Sequence, residues 1–174
     1  MKVSFRQVSS SEVNDAYAVY LGLFEWLNAK GVRQWLRALP RDVLVERQAG
    51  GELFACFIDG RIAAVVTLAS ENNPYWTDLL GEERLWWIKS LAVARAHGGG
   101  GVGAQVMREC ESRICGAGAT QAFIDCVDAG FLPRYYVRLG YEPLARKDIT
   151  YPSGNTFAMV LMRKTVGPTP EGSR

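Results

Sequence analysis

The spacing of apolar positions changes repeatedly along the chain, and each change marks an element. Val3 to Val8 alternate as a short strand, and Ser9 and Glu12 follow at the spacing of a capping box. Val13, Ala16, Tyr17, Tyr20, Phe24 and Leu27 then recur at helical intervals and predict an amphipathic helix. Gly31 breaks it. A second helical segment, Val32 to Gln48, is interrupted at Pro40 and ended by Gly50-Gly51. The period then shortens to that of strands over Leu53 to Ile58 and Arg61 to Ala69, joined at Asp59-Gly60, a strong hairpin signal. Ser70 to Glu83 is polar, carries Pro74, Tyr75 and Trp76, and predicts a loop, while Leu85 to Val93 predicts a central strand.

A glycine run follows, then a helix with Val102, Val106, Cys110 and Ile114 on one face and Gln105, Arg108, Glu109 and Arg113 on the other. Gly116 to Gly118 end it. Ala122 to Val127 predict a strand, Phe131 to Leu139 a short helix with Pro133 in its first turn, and Gly140 its cap. Tyr141 to Lys147 and Thr156 to Arg163 predict two last strands around the turn Pro152-Ser153-Gly154-Asn155. The order β-α-α-β-β-β-α-β-α-β-β predicts an α/β (α+β) domain: consecutive strands pair antiparallel and strand-helix-strand units pair parallel, giving a mixed sheet. One domain over 1–165 is expected, with 166–174 a disordered tail.

Composition narrows the function. The 174 residues are 48% hydrophobic and 22% charged, as in ordinary globular proteins. Twenty Lys+Arg against eighteen Asp+Glu leave a net charge of +2, too balanced for a protein that coats nucleic acid. No apolar run suits a membrane span and the first residues lack a signal-peptide core, so a cytoplasmic protein that binds no membrane is expected. Cys56, Cys110, Cys115 and Cys126 form no CxxC pair, and His97 is the one histidine, so a metal site and a Ser/Cys-His hydrolase are both disfavoured.

The chemistry concentrates at His97-Gly98-Gly99-Gly100-Gly101-Val102-Gly103-Ala104, between a strand and a helix. Successive glycines let backbone N–H groups converge, and at a helix N-terminus they favour an anion such as a phosphate. A P-loop is excluded because no Lys-Ser or Lys-Thr follows. Gly98, Gly100 and Gly103 satisfy G-x-G-x-x-G formally, with Asp125 near the place of a ribose-binding acid. Against a dinucleotide site, Ala94 to His97 separate the strand from the first glycine, and the chain has no room for the repeated βαβ half.

Leu91-Ala92-Val93-Ala94-Arg95-Ala96-His97-Gly98-Gly99-Gly100-Gly101-Val102-Gly103 closely resembles the acyl-CoA signature of the GNAT N-acetyltransferases, and Tyr135-Tyr136-Val137-Arg138-Leu139-Gly140-Tyr141 resembles their Y-x-x-x-G-F/Y segment. Gly31-Val32-Arg33-Gln34-Trp35 is similar to a segment of some bacterial members. The resemblance covers about residues 3 to 164 and implies a mostly antiparallel twisted sheet of about seven strands with about four flanking helices.

It also implies acetyl-CoA as co-substrate, no metal, and transfer of the acetyl group to a primary amine of a small molecule or peptide. Leu91, Ala92 and Val93 would pair with the pantetheine arm, and one N–H would polarise the thioester carbonyl. The stretch Gly98, Gly99, Gly100, Gly101, Val102, Gly103 and Ala104 would cradle the pyrophosphate. Tyr136 would be the general acid toward the departing thiolate, with Tyr135 as packing.

Three positions depart from the family pattern. Gly98 stands where an Arg or Gln is usual, with His97 or Arg95 as substitutes; Asp128-Ala129 replace a common Asn; Trp87 stands in place of an acidic base. Asp125, Asp128, Glu82 and Glu83 are therefore the candidates for the base. Trp76, Trp86, Trp87, Tyr75 and Trp35 are candidate walls for the acceptor, with Trp86 and Trp87 on opposite faces of their strand, and Ser70 to Glu83 is a candidate lid. The departures motivate a non-catalytic acyl-CoA sensor as the alternative. A homodimer through open strand edges is compatible with the pattern.

Overall fold

The computed structural model describes residues 2–32 and 39–167. The elements are β1 (Val3–Gln7), α1 (Val13–Ala29), α2 (Arg41–Ala49), β2 (Leu53–Ile58), β3 (Arg61–Glu71), α3 (Thr77–Leu80), β4 (Leu85–Val93), α4 (Val102–Gly116), β5 (Gln121–Val127), α5 (Leu132–Arg138), β6 (Glu142–Thr150) and β7 (Thr156–Thr165). The strands form one sheet in the order β1-β2-β3-β4-β5-β7-β6. Every neighbouring pair is antiparallel except β4 and β5, so the expected mixed, mostly antiparallel α/β fold is the one observed.

Local chemistry sets the boundaries. Asp59 and Gly60 both take positive φ (49° and 81°), as a tight hairpin between β2 and β3 requires. Glu12 accepts hydrogen bonds from the Ser9 N–H (2.9 Å) and hydroxyl (2.8 Å), and Arg6 pairs with the same carboxylate at 2.7 Å. Pro40 directly precedes α2, where its missing N–H costs nothing. The first half of the expected second helix, with Arg33, Gln34 and Trp35, lies outside the described residues.

Three expectations need correction. The polar stretch after β3 is not wholly a loop: β3 continues to Glu71, and Thr77–Leu80 make a one-turn helix. The last two strands run further, to Thr150 and Thr165, because β7 supplies partners for the end of β6 and β5 supplies partners for the end of β7. Val166 belongs to the core rather than to a tail: it is buried, and its N–H bonds the Thr120 carbonyl at 2.8 Å. Residues 168–174 are outside the described set.

The two faces of the sheet bury different material. Against α4 and α5 lie Val66, Leu68, Ile88, Ile124, Cys126 and Val160, with Val106, Cys110 and Ile114 from α4. On the opposite face α1 and α2 cover Ala55, Phe57, Val65 and Ala92 with Val13, Ala16, Tyr20 and Leu44. Beyond them, on that same face, Trp76, Trp87, Phe123, Met159 and Leu161 form a third cluster. The site lies where these faces meet at the middle of the sheet.

Candidate active site

The parallel ladder between β4 and β5 has a single registered pair, Trp87 with Phe123, after which the two strands are no longer paired. Three residues beyond Trp87, β4 bulges. Val65 pairs with Ala92 and Thr67 with Lys89, so β4 spends one more residue than β3 over this span. The extra residue shows at Ser90, whose φ of +52° is left-handed. The bulge resets the alternation of side chains. Ile88, Leu91 and Val93 all join the α4 face, and Ala92 turns to α1. Tyr20, fully buried in α1, donates its hydroxyl to the Ser90 carbonyl at 2.6 Å.

Next to this opening lies a cleft of about 500 Å³. Leu91 and Val93 from β4, the glycine-rich loop with the start of α4, Leu23, Trp26 and Leu27 from α1, and Tyr135 and Tyr136 from α5 line it. Of the expected cofactor-binding residues, Leu91, Val93, Gly98, Gly99, Gly101, Val102, Gly103 and Ala104 come together here. Ala92 does not, because the bulge sends it to the other face. Gly100 turns its N–H onto the His97 carbonyl (3.3 Å), within the loop itself.

The cradle is a helix start with free donors. The first helical bond runs from the Gln105 N–H to the Gly101 carbonyl (3.0 Å), which leaves the N–H groups of Val102, Gly103 and Ala104 without acceptors in the helix. Gly101 caps it at φ +78°, a conformation that a side chain would strain, and no acidic residue stands in the first turn. A polyanion fits this arrangement.

Arg95 supplies charge that Gly98 lacks. Its guanidinium lies over the Trp26 ring, 4.0 Å from the centroid, and a Cβ placed on Gly98 would meet it at 3.1 Å. Arg95 thus occupies the space that a longer residue at position 98 would need. Trp26 is braced in turn by Phe131 (6.2 Å between rings).

Tyr136 is buried and lines the cleft. Burial pushes its ionisation well above the ordinary phenol value, with the neighbouring Cys126, Tyr135 and Asp125 charges acting the same way. It stays protonated and is a hydrogen-bond donor. Tyr135 packs closely on the start of α4: its hydroxyl lies 2.5 Å from where a Cβ on Gly103 would stand, so a side chain there would have to displace it. Sequence reading took Tyr135 as packing and passed over Leu23 and Trp26. Leu23, Trp26 and Leu27 sit at helical spacing, so the signal existed as an apolar stripe but did not distinguish a cleft wall from core.

The candidate bases separate sharply. Asp128 pairs with Arg146 at 3.0 Å, and Glu82 and Glu83 are exposed. Asp125 is half-buried two residues past the last registered pair, and its Oδ2 accepts from the Trp76 indole N–H (2.9 Å) and the Asn73 amide (3.4 Å). Trp76 and Trp87 are buried in the third cluster, Trp86 packs on the α4 face as the alternation requires, and Trp35 is outside the described residues. Among the described residues no group of His, Cys, Asp and Glu is arranged to hold a metal ion, and no helix is long and apolar enough to cross a membrane.

Known proteins place this architecture. The sequence profile of the Acetyltransferase (GNAT) family matches residues 20–141. The chain is 32% identical over 125 residues to the uncharacterized N-acetyltransferase YesJ of Bacillus subtilis, covering 68% of this chain and 69% of that one. A GNAT-family acetyltransferase from Listeria monocytogenes superposes with a TM-score of 0.78 at 19% identity, over 94% of this chain and 95% of the other. One from Streptococcus agalactiae superposes at 0.79 and 13% identity, over 94% and 95%. At these identities the two structures speak for the fold alone. The profile match, the relative and the fold agree, and the chain belongs to the GNAT acetyltransferase family, as an acetyl-CoA-dependent N-acetyltransferase.

Proposed function

We propose that the chain transfers an acetyl group from acetyl-CoA directly to a primary amine of a small molecule or peptide, with Tyr136 as the acid toward the CoA sulfur. The observation that carries this reading is the single cleft in which the glycine cradle, the β4 residues beyond the bulge and the Tyr136 phenol meet. The free N–H groups of Val102, Gly103 and Ala104, with Arg95 beside them, would hold the pyrophosphate. Leu91 and Val93 would flank the pantetheine arm, and a backbone N–H at the bulge would stabilise charge on the thioester oxygen. Acetyl-CoA supplies the acyl thioester; the N–C bond to the amine forms as the C–S bond breaks.

An ordinary phenol giving its proton to a thiol near 8.5 is uphill by about 2 kcal/mol. Burial of Tyr136 raises that cost, so its part is to donate a hydrogen bond to the departing sulfur rather than to give up the proton outright. The acceptor must lose a proton as well, which for an alkylamine at pH 7 costs about 4.6 kcal/mol.

Titration calorimetry with acetyl-CoA, followed by CoA release over a panel of amines for the wild type and Tyr136→Phe, tests this. The expected result is binding by both forms, with turnover reduced about a hundredfold in the variant. Binding without release over the whole panel would favour the non-catalytic sensor, and no binding at all would end the transferase reading.

A further inference from the structure

We infer that Asp125, with Tyr75 and Tyr151, forms a subsite for an organic cation on the acceptor side of the sheet. The subsite recognises an aliphatic ammonium, and this deepens the transferase reading and rests on it. Three observations meet here. First, Asp125 is placed for the acceptor. It follows Phe123 by two residues on β5, so it shares that residue's face of the sheet, opposite the α4 and α5 side that carries Tyr136. It lies two residues past the last registered pair of β5 with β4, where the two strands have parted.

Second, its carboxylate is oriented yet unneutralised. Oδ2 is fixed by two neutral donors, Trp76 Nε1 and Asn73 Nδ2, and Asn73 is buried and itself fixed, its Oδ1 accepting the Tyr75 N–H at 3.2 Å. Of the nearby cations, Lys89 pairs with Glu71, Arg146 with Asp128, and Lys147 with Asp78 while lying over the Trp76 ring; Arg163, opposite Phe123 on β7, shares the Asp125 face. Among the described residues none pairs with Asp125. A half-buried carboxylate oriented by neutral donors and in no salt bridge among the described residues favours a cation brought to it.

Third, aromatic rings stand beside it. The Tyr75 and Tyr151 rings lie 4.8 Å apart at 54°, and Phe157 backs Tyr151 at 5.9 Å. Burial pushes the Tyr151 hydroxyl up to about 12, with the Asp125 charge acting the same way. Ring faces beside a carboxylate attract ammonium groups and not their neutral isosteres.

The test uses the full chain. Choline, which has no N–H to acylate and is added without acetyl-CoA, and its neutral isostere 3,3-dimethylbutanol are titrated against the wild type, Asp125→Asn and Tyr151→Leu, each checked for a cooperative melt. Expected is binding of the cation to the wild type, weakened about tenfold in Asp125→Asn and less in Tyr151→Leu, with little binding of the alcohol. Equal binding of cation and alcohol, or an Asp125→Asn affinity equal to wild type, would overturn the subsite. Should Asp125→Asn fail to fold, the cation-to-alcohol ratio in the wild type and the Tyr151→Leu result decide. A parallel acetyl-CoA titration of the wild type keeps the two questions apart, because loss of cofactor binding indicts the transferase reading and loss of cation binding alone indicts only Asp125.

Discussion

The Tyr20 hydroxyl reaches 2.6 Å across from α1 to the carbonyl of Ser90, the left-handed residue of the β4 bulge. The same phenol is hydrogen-bonded to Thr67 on the adjoining strand, and burial raises its ionisation far above normal. A buried helix side chain thereby fixes the irregular backbone on which the thioester is expected to rest.

Tyr20→Phe removes the donor while keeping the ring, depriving the half-buried Ser90 carbonyl of this bond at a cost of about 1 kcal/mol. The expected outcome is a lowered Tm and a kcat reduced about tenfold, with acetyl-CoA affinity nearly unchanged. A variant that loses stability but keeps wild-type kcat would show that the bond serves the fold alone.

Gly103→Ala should weaken acetyl-CoA binding by displacing the Tyr135 hydroxyl, which stands 2.5 Å from the new methyl group. Tyr135→Phe in the same chain removes the clashing atom and should recover part of the affinity. Calorimetric titration of both single variants and the double variant gives the coupling directly.

Arg95→Ala removes the cation stacked on Trp26. Acetyl-CoA affinity should fall about tenfold, and the remaining binding should depend less on salt than in the wild type. Equal affinities at low salt would mean that the backbone cradle suffices.

The pH dependence of turnover has a definite sign. Because Tyr136 is held protonated well above its ordinary range, kcat/KM for an alkylamine should rise with pH as the free amine fraction grows, without an alkaline fall near pH 10 from this phenol. A rate profile that drops between pH 9 and 10 (about one unit below the ordinary phenol value) would contradict that placement.

Acid stability carries a second sign. The hydrogen bond from Arg6 holds the Glu12 carboxyl down at about 2, below its unfolded value near 4.3. Its contribution is therefore complete above that unfolded value and lost as the pH falls toward 2. Glu12→Gln should lower Tm at pH 7 and make little difference near pH 2, as thermal melts across that range would record.

Much of this was legible beforehand. The Asp59-Gly60 hairpin, the alternation of Trp86 and Trp87 and the glycine run before α4 are local signals, set by neighbours in the chain, and they appear where expected. The bulge at Ser90 was not readable, because its cause is a partner strand and a tyrosine seventy positions away. That hidden residue reversed the side on which Ala92 faces. Asp125 could be named as acidic but not chosen over Asp128, since only the tertiary structure gives one of them Trp76 and the other Arg146.

The lone registered pair between Trp87 and Phe123 makes the sheet two antiparallel panels leaning on each other at one rung. Strands β1 to β4 form one panel, and β5, β7 and β6 form the other. The cleft joins β4 of the first panel to α5, which follows β5 of the second, so acetyl-CoA bound there as proposed should brace the panels and set the mechanical stiffness of the molecule as well as its chemistry. Each tenfold excess over the dissociation constant adds about 1.4 kcal/mol to the folded state, and the amides beside the gap should be the ones whose hydrogen exchange slows most.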